Sequence, residues 1–487
     1  MTVQQFKKAR LARDARFDGQ FFVAVKTTGI FCRPVCPAPP ANEANVEYFA
    51  KQAQALQSGY RPCLRCRPDS APGSWAWKGV ETTFQRAVNL IDQGGLQSSN
   101  LPGLASRLGI SDRYLRQLFQ QYLGMSPKQY AQYQQLMFAK QLLHTSNMSI
   151  GDIAIASGFN SIRRFNDAFQ KKLKLTPRDT RKASRVNDNA TNTDVEKQLR
   201  LSYRPPFNWD HLLAFYRKRA IYGIEEVGEN YYSRTFVSAN SKGWFRAQLG
   251  AKNTLEITFD IDDMTQLKHM VSQIRRLFDL DADIAVIEQH LKQTAIAPIM
   301  GSGLRIPGVW STWEAGVRAI FGQQVSIVAA ITVLNSFVQS LHEGIQRRYF
   351  PTPSEVASAD LSVLRMPQAR KDTLKRFAEY MVDHFDAPPE EWLALKGIGP
   401  WTVSYAKLRG LSQPDCFLST DLVIKKAIAA LSEIGEAEAG ETEASSKLNN
   451  TSGARAIQPA QLEQASLIKA LSPWGSYATF NCWNSQS

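Results

Sequence analysis

The stretch Leu395-Lys396-Gly397-Ile398-Gly399-Pro400-Trp401-Thr402-Val403, together with Phe417-Leu418-Ser419-Thr420-Asp421-Leu422-Val423-Ile424-Lys425-Lys426 just beyond it, decides how the second half of this 487-residue chain is read. It follows a helical pattern and opens another helix. Two glycines one residue apart permit a tight turn, and the turn's N–H groups, with a helix N-terminus behind them, can hold a phosphate. Such a turn alone is also a plain helix connector. Asp421 alone is equally well an N-cap or a surface acid. The hairpin and the carboxylate about twenty residues after it gain meaning only together.

Outward from this stretch, residues 305–487 are largely helical. They are interrupted by Gly435 to Gln458, a Glu-, Ala-, Ser- and Thr-rich run without apolar period that is expected to be a solvent loop. Upstream, about 199–297 mixes strands (Leu255 to Phe259) with helices (Met264 to Phe278). A polar linker precedes it, and residues 80–182 are helical again, with Gly or Ser-Pro between segments. The fold class expected is therefore multidomain and mainly α, with α+β parts. Hydrophobic residues make up 44% and charged residues 21%, enough to bury ordinary cores, which excludes a wholly disordered chain. No apolar run is long enough for a membrane span, and the polar, basic N-terminus has no signal core. A cytoplasmic protein without a membrane partner is expected.

The net charge of +14 is uneven. Residues 1–185 carry 27 Lys and Arg against 11 Asp and Glu, while the remainder is close to neutral. A basic front half is the footprint of a polyanion binder, most simply nucleic acid, although a solvated basic surface has the same composition. Within it lie Cys32-Arg33-Pro34-Val35-Cys36 and Cys63-Leu64-Arg65-Cys66. Two closely spaced cysteine pairs can bring four sulfurs onto one Zn²⁺; the alternative is four unrelated buried thiols. Arg33, Arg61, Arg65 and Arg67 crowd the cluster, and a basic rim of this kind would guide a phosphate backbone toward a zinc-activated thiolate. Further on, two segments share one plan of helix, Gly turn, Ser cap and amphipathic helix: Leu104 to Phe119 and Ile153 to Phe169. Either segment alone is equally a generic helical hairpin. Arg113, Arg116, Arg163 and Arg164 fall on the second helix of each.

These motifs resemble known families. Phe17 to Pro37 and Gly59 to Asp69 resemble the N-terminal domain of the Ada family over about 60 residues. That resemblance implies that Cys32 accepts a methyl group from a methylphosphotriester in DNA, and that Cys36, Cys63 and Cys66 share the zinc. The paired helix-turn-helix segments, ending in Leu175-Thr176-Pro177-Arg178, resemble the AraC-type DNA-binding domain. That resemblance implies that Arg113, Arg116, Arg163 and Arg164 face DNA, at bases or at phosphates. The Gly hairpin with Asp421 resembles the helix-hairpin-helix glycosylases. Tyr203 to Trp209, Pro307 to Trp310, Glu314 to Ser326 and Pro473 to Trp483 resemble the AlkA branch, the 3-methyladenine glycosylases, over about 200–487.

The resemblance implies Asp421 as catalytic aspartate, Gly397 and Gly399 as DNA-backbone contacts, and Trp401, Tyr405 and Trp483 as pocket aromatics. Electron-poor alkylated purines would stack on those aromatics after leaving the duplex. Trp401 stands where strand-cutting relatives place a lysine, so a Schiff-base lyase is not expected. Cys416 and Cys482 are too few for the iron–sulfur cluster of some relatives. Gln324 stands where the family's wedge is an apolar leucine, and the methyltransferase motif that completes Ada has no counterpart.

The organisation implied is an Ada-like zinc domain over 1–75, an AraC-type domain over 80–183, a linker over 184–197, an AlkA-like mixed α/β domain over 198–300, and a glycosylase domain over 301–487 with a flexible insert at 435–458. The implied partners are double-stranded DNA carrying alkylated bases and methylphosphotriesters, promoter DNA and RNA polymerase. The function expected is excision of alkylated bases, with methyl transfer to Cys32 and transcriptional regulation by the front half. The alternatives are a transcriptional activator with a vestigial glycosylase module, or a front half that only recruits the enzyme to damaged DNA.

Overall fold

The computed structural model describes residues 3–13, 17–18, 20–36, 38–50, 54–55, 58–63, 66, 68, 75–92, 94–98, 100–184, 196–238, 241–342, 347–440 and 466–486. The chain divides into two compact units, 1–135 and 136–487.

The first unit opens with helix α1 (Val3–Leu11) and a four-stranded sheet of β1 (Phe22–Val25), β2 (Ile30–Cys32), β3 (Val46–Phe49) and β4 (Arg61–Pro62), in the order β3-β1-β2-β4. The short β2–β4 pairing is parallel and brings the strand carrying Cys32 beside the segment carrying Cys63. Helices α2 (Trp75–Asp92), α3 (Gly95–Ser98), α4 (Leu101–Arg107) and α5 (Asp112–Leu123) follow. Phe84, Ala87, Leu104, Leu115, Leu118 and Phe119 recur at helical spacing and fill one core. The α4–α5 turn is the one the sequence predicts. Gly109 sits at φ 68°, where a side chain would be strained, and the Ser111 hydroxyl accepts from the Tyr114 N–H at 3.2 Å.

Helix α6 (Pro127–Thr145) leads into the second helix-turn-helix, α7 (Ile150–Ala156), α8 (Ile162–Leu173) and α9 (Pro177–Ser184). A five-stranded antiparallel sheet comes next: β5 (Lys197–Ser202), β6 (Glu225–Val227), β7 (Tyr231–Ser238), β8 (Ser241–Leu249) and β9 (Thr254–Ile261), ordered β5-β9-β8-β7-β6. Burial alternates along β8 and β9, so one face is core. Helices α10 (Trp209–Arg217) and α11 (Leu267–Leu277) pack there.

The same core takes in Leu142 of α6, Met148 of the α6–α7 connection, and Ile153, Phe165 and Phe169 of the second helix-turn-helix. The edge strand β5 is not left open to pairing with another chain. Ser146 bridges Leu199, and the Asn147 side chain accepts from the Gln198 N–H at 2.9 Å and donates to the Glu196 carbonyl at 3.0 Å. Residues 185–195, most of the expected linker, lie outside the described residues.

The rest is helical: α12 (Ile284–Leu291), α13 (Thr312–Gly322), α14 (Ile327–Leu341), α15 (Pro353–Ser358), α16 (Gln368–Asp383), α17 (Pro400–Gly410), α18 (Leu422–Gly440) and α19 (Gly475–Ser485). One core lies among α13–α17, a second among α10, α12 and α17–α19. A buried ion network ties sheet to helices: Arg234 binds Glu314 at 2.9 Å, and Arg318 binds Glu314 at 2.8 Å and Glu225 at 2.5 Å. The loop expected from Gly435 needs correction at its start. Helix α18 continues through Gly440, as its Ala and Glu content favours; 441–458 lie outside the described residues. Among the described residues no single helix is long and apolar enough to cross a membrane.

Candidate active site and metal centre

In the first unit, the sulfurs of Cys32, Cys36, Cys63 and Cys66 lie within 4.8 Å of one another. A tetrahedral Zn²⁺ with Zn–S bonds of about 2.3 Å needs sulfurs about 3.8 Å apart, so small rotamer shifts close this set on the ion. The donors behave as a cluster built for a cation. Cys66 is held down to about 6, chiefly by its hydrogen bond with Cys32 and against the effect of burial. Cys32 is pushed far above the ordinary thiol value, first by that same hydrogen bond and then by burial and the neighbouring sulfurs. Four thiols this close cannot all ionise unless a cation neutralises them. Zn²⁺ fits. Cys36 and Cys66 are buried, whereas Cys32 and Cys63 are partly exposed, so only the latter two can meet a macromolecular substrate.

The basic rim read from the sequence is corrected at one residue. The Arg33 guanidinium is an internal brace. Its Nε donates to both oxygens of Asp18 at 2.9 and 3.1 Å, and its Nη1 donates to the Cys66 carbonyl at 3.3 Å. Its backbone N–H donates to Cys66 Sγ at 3.3 Å. Asp18 cancels the charge that Arg33 would show a phosphate. Arg61 is exposed on β4, and Arg65 and Arg67 lie outside the described residues.

The four helix-turn-helix arginines are exposed: Arg113 and Arg116 on α5, Arg163 and Arg164 on α8. Arg116 pairs with Asp112 one turn earlier at 2.9 Å. Ser161 caps α8 by accepting from the Arg164 N–H at 3.2 Å.

In the second unit, the hairpin forms as the two glycines require. Gly397 is at φ 97°, and a Cβ there would lie 2.0 Å from Thr373 Oγ1. Gly399 is the N-cap of α17, which has Pro400 in its first turn and no side-chain cap, so the helix presents its N-terminus uncapped by side chains. Gln323 Nε2 donates to the Gly397 carbonyl at 3.1 Å and fixes the turn from outside. Its neighbour Gln324 is exposed with a left-handed backbone, φ 57°, in the loop between α13 and α14, and shares no hydrogen bond or ring contact with the aspartate's group.

Asp421 sits half-buried at the head of α18. One oxygen accepts from the Val423 N–H at 2.9 Å, the Ile424 N–H at 3.3 Å and Trp483 Nε1 at 3.3 Å; the other accepts from Trp401 Nε1 at 3.3 Å. Four donors converge on one carboxylate. It is both the helix cap and the centre of the aromatic group. Trp401 and Tyr405, one turn apart on α17, stack at 5.2 Å between centroids and 26°. Trp483 comes from α19, 62 residues beyond Asp421, and meets Phe480 edge-on at 5.1 Å. The structure thus brings together Asp421, Trp401, Tyr405 and Trp483.

It adds residues that sequence reasoning missed. Phe215 of α10 lies parallel to Trp483 at 6.5 Å. Arg409, buried, donates to the Tyr405 hydroxyl at 2.8 Å and to the carbonyls of Pro307 and Gly308 at 2.7 and 3.3 Å. Arg219 lies over the Phe215 ring at 3.7 Å. Burial raises the Tyr405 phenol, but Arg409, Arg219 and Arg318 outweigh it and hold the group below its usual value. Cys482, buried nearby, is pushed up to about 12 by burial and the Asp421 charge, and is no nucleophile. The i, i+4 spacing of Phe215 and Arg219 is the only signal the sequence offers for that wall.

Three family models match the chain: the metal binding domain of Ada over 5–69, a helix-turn-helix domain over 104–183 and the AlkA N-terminal domain over 198–311. A probable bifunctional transcriptional activator/DNA repair enzyme AlkA of Mycobacterium tuberculosis is 33% identical, over 98% of this chain and 95% of its own length. DNA-3-methyladenine glycosylase 2 of Escherichia coli is 28% identical over 58% of this chain and 95% of its own. The bifunctional transcriptional activator/DNA repair enzyme Ada of Escherichia coli is 39% identical over 27% of this chain and 36% of its own. An Ada-type metal domain, helix-turn-helix segments and an AlkA-type second half in one polypeptide place the chain in the family of bifunctional transcriptional activator/DNA repair enzymes that join Ada to AlkA.

Proposed function

We propose that the second unit removes alkylated bases of the 3-methyladenine type from double-stranded DNA by hydrolysis of the glycosidic bond, with Asp421 as the catalytic residue. The observation that carries this reading is the Asp421 carboxylate, fixed by two indole and two backbone N–H groups amid Trp401, Tyr405 and Trp483. The uncapped start of α17, with the Gly397–Gly399 turn, supplies N–H groups for a backbone phosphate. The exposure of Gln324, in the loop beside the anchored Gln323, supports its reaching the duplex where a nucleotide is extruded. The flipped base stacks among the aromatics. As the C1′–N bond breaks, positive charge grows on the sugar, and Asp421 is already held in one orientation to stabilise it, without reorganisation at the moment of reaction. Trp401 at the head of α17 offers no amine for a Schiff base, so the reaction stops at an abasic site. Release of methylated bases from alkylated duplex DNA by the full chain tests the reading.

For the first unit we propose methyl transfer to Cys32. Its Sγ attacks the methyl carbon of a methylphosphotriester; the S–C bond forms as the O–C bond breaks, and the phosphodiester leaves as an anion. Zn²⁺ held by Cys32, Cys36, Cys63 and Cys66 supplies the chemistry that keeps the sulfurs as thiolates. Partial exposure supports Cys32 over the buried Cys36 and Cys66. Exposed Arg113 and Arg116 in the first unit, and Arg163 and Arg164 in the second, then contact promoter DNA, next to which RNA polymerase is engaged. Mass spectrometry after incubation with methylphosphotriester DNA tests the transfer, with one added methyl expected on Cys32.

A further inference from the structure

Arg219 stands one turn after Phe215, just past the end of α10, and differs from every other arginine around the pocket. Arg409 spends its guanidinium on a hydroxyl and two carbonyls. Arg318 is locked between Glu225 and Glu314. Among the described residues the Arg219 guanidinium makes one hydrogen bond, Nη1 to the Phe215 carbonyl at 3.2 Å, and otherwise lies over the Phe215 ring with no carboxylate paired to it; its backbone carbonyl accepts from Arg318 Nη1 at 2.9 Å. A guanidinium carries five N–H donors, so most of its capacity is unspent. Its charge is only partly accommodated: burial first, then the neighbouring Arg409 and Arg318, push it down to about 10, against the opposing effect of Tyr405. It remains cationic at neutral pH. The Phe215 ring beneath it is the one that faces Trp483, whose indole N–H reaches Asp421.

We infer that Arg219 is a specificity-determining residue of this site, a donor to the departing base that serves uncharged damaged bases and gives nothing to cationic ones. The inference rests on the glycosylase reading above. When the C1′–N bond breaks, both electrons leave with the base nitrogen. A base carrying a quaternary charge becomes neutral by that step and needs no help. An uncharged base becomes an anion, which then takes a proton from solvent while water adds to C1′ and releases one. An under-used guanidinium beside the pocket stabilises that anion as it forms. The same charge repels a base that arrives cationic. Asp421 acts on the sugar in both cases; Arg219 divides the substrates.

The test is single-turnover release of hypoxanthine, an uncharged base, and of 7-methylguanine, a cationic one, from otherwise identical duplexes, using the full chain, Arg219→Gln and Arg219→Lys. For Arg219→Gln the hypoxanthine rate is expected to fall about 100-fold or more, the scale of losing one charge-stabilising donor, while 7-methylguanine release falls far less or rises. Arg219→Lys, which keeps the charge, should recover part of the hypoxanthine rate. Equal loss on both bases would mean a packing or phosphate-binding role and would overturn the inference, as would no loss on hypoxanthine. Thermal melting of both variants checks folding, and the lysine variant carries the test if the glutamine variant does not fold. A wild-type chain that releases 7-methylguanine but not hypoxanthine overturns this inference alone; release of neither overturns the glycosylase reading with it.

Discussion

Replacing Asp421 by asparagine removes one charge and little else, and the structure lets its effects be separated. At the head of α18 the substituted amide oxygen can still accept from the Val423 and Ile424 N–H groups and from Trp483 Nε1, at 2.9, 3.3 and 3.3 Å. Asparagine is as good a helix cap as aspartate. Only the contact with Trp401 Nε1, now at 3.3 Å, turns from acceptor to donor facing donor. One lost hydrogen bond costs about 1 kcal/mol, so the fold survives. The chemistry does not. A carboxylate about 4 Å from the charge developing on the sugar, at an effective dielectric of about 20, contributes about 4 kcal/mol, and the amide dipole keeps a fraction of that.

The expected loss in the base-release step is therefore about 10²- to 10³-fold, in line with removal of one key electrostatic stabiliser. Single-turnover release from a methylated duplex measures it. Binding to an uncleaved duplex, measured in parallel, should be nearly unchanged. Asp421→Ala would add the loss of the cap, about 1 kcal/mol of stability, without a comparable further loss of rate. Wild-type-like release by Asp421→Asn would refute the catalytic assignment. A loss of DNA affinity equal to the loss of rate would instead make the residue a binding group.

Elemental analysis of the purified chain should find about one zinc, and Cys36→Ser should lose both the metal and the fold around β2 and β4, read by limited proteolysis. Borohydride should trap no covalent adduct with damaged DNA, because Trp401 stands at the head of α17 where a lyase needs an amine; a trapped adduct would remove the monofunctional claim and leave Asp421 untouched. Asp279, buried beside Tyr477, is raised to about 7 by burial against the hydrogen bonds of Tyr477 and the Ile306 N–H. A folded-state value raised above the unfolded one gives stability that is fully present below about 4 and lost as pH rises through about 7. Asp279→Asn, which suits the left-handed backbone there, should thus melt higher than wild type at pH 8 and show no such gain at pH 4.

What the sequence made legible was local. Two glycines, an aspartate about twenty residues later and two cysteine pairs are motifs visible in short stretches, and the structure forms the turn, the cap and the cysteine cluster from them. Cross-chain partners declare nothing. Phe215 meets Trp483 from 268 residues away, and its alternation within α10 reads as ordinary core. Arg33 reads as a free cation because Asp18 is distant in sequence; the β1–β2 hairpin is what brings them together. The apolar face of α8, Phe165 and Phe169, fits any helix-turn-helix, and nothing in it shows that it shares a core with a β-sheet that begins 28 residues later.

The aspartate also shows why the modest reading and the functional one were hard to separate. As an N-cap, Asp421 must turn a carboxylate oxygen toward the first free N–H groups of α18. As a stabiliser of positive charge, it must be held rigidly with one edge open to the substrate. The cap supplies that rigidity from the backbone, and the indoles of Trp401 and Trp483 supply it from the pocket side. The two roles share the same atoms. Leu422 and Val423 after the cap are exposed, so in the first turn of α18 the backbone and indole hydrogen bonds, not apolar packing by these two, hold the carboxylate.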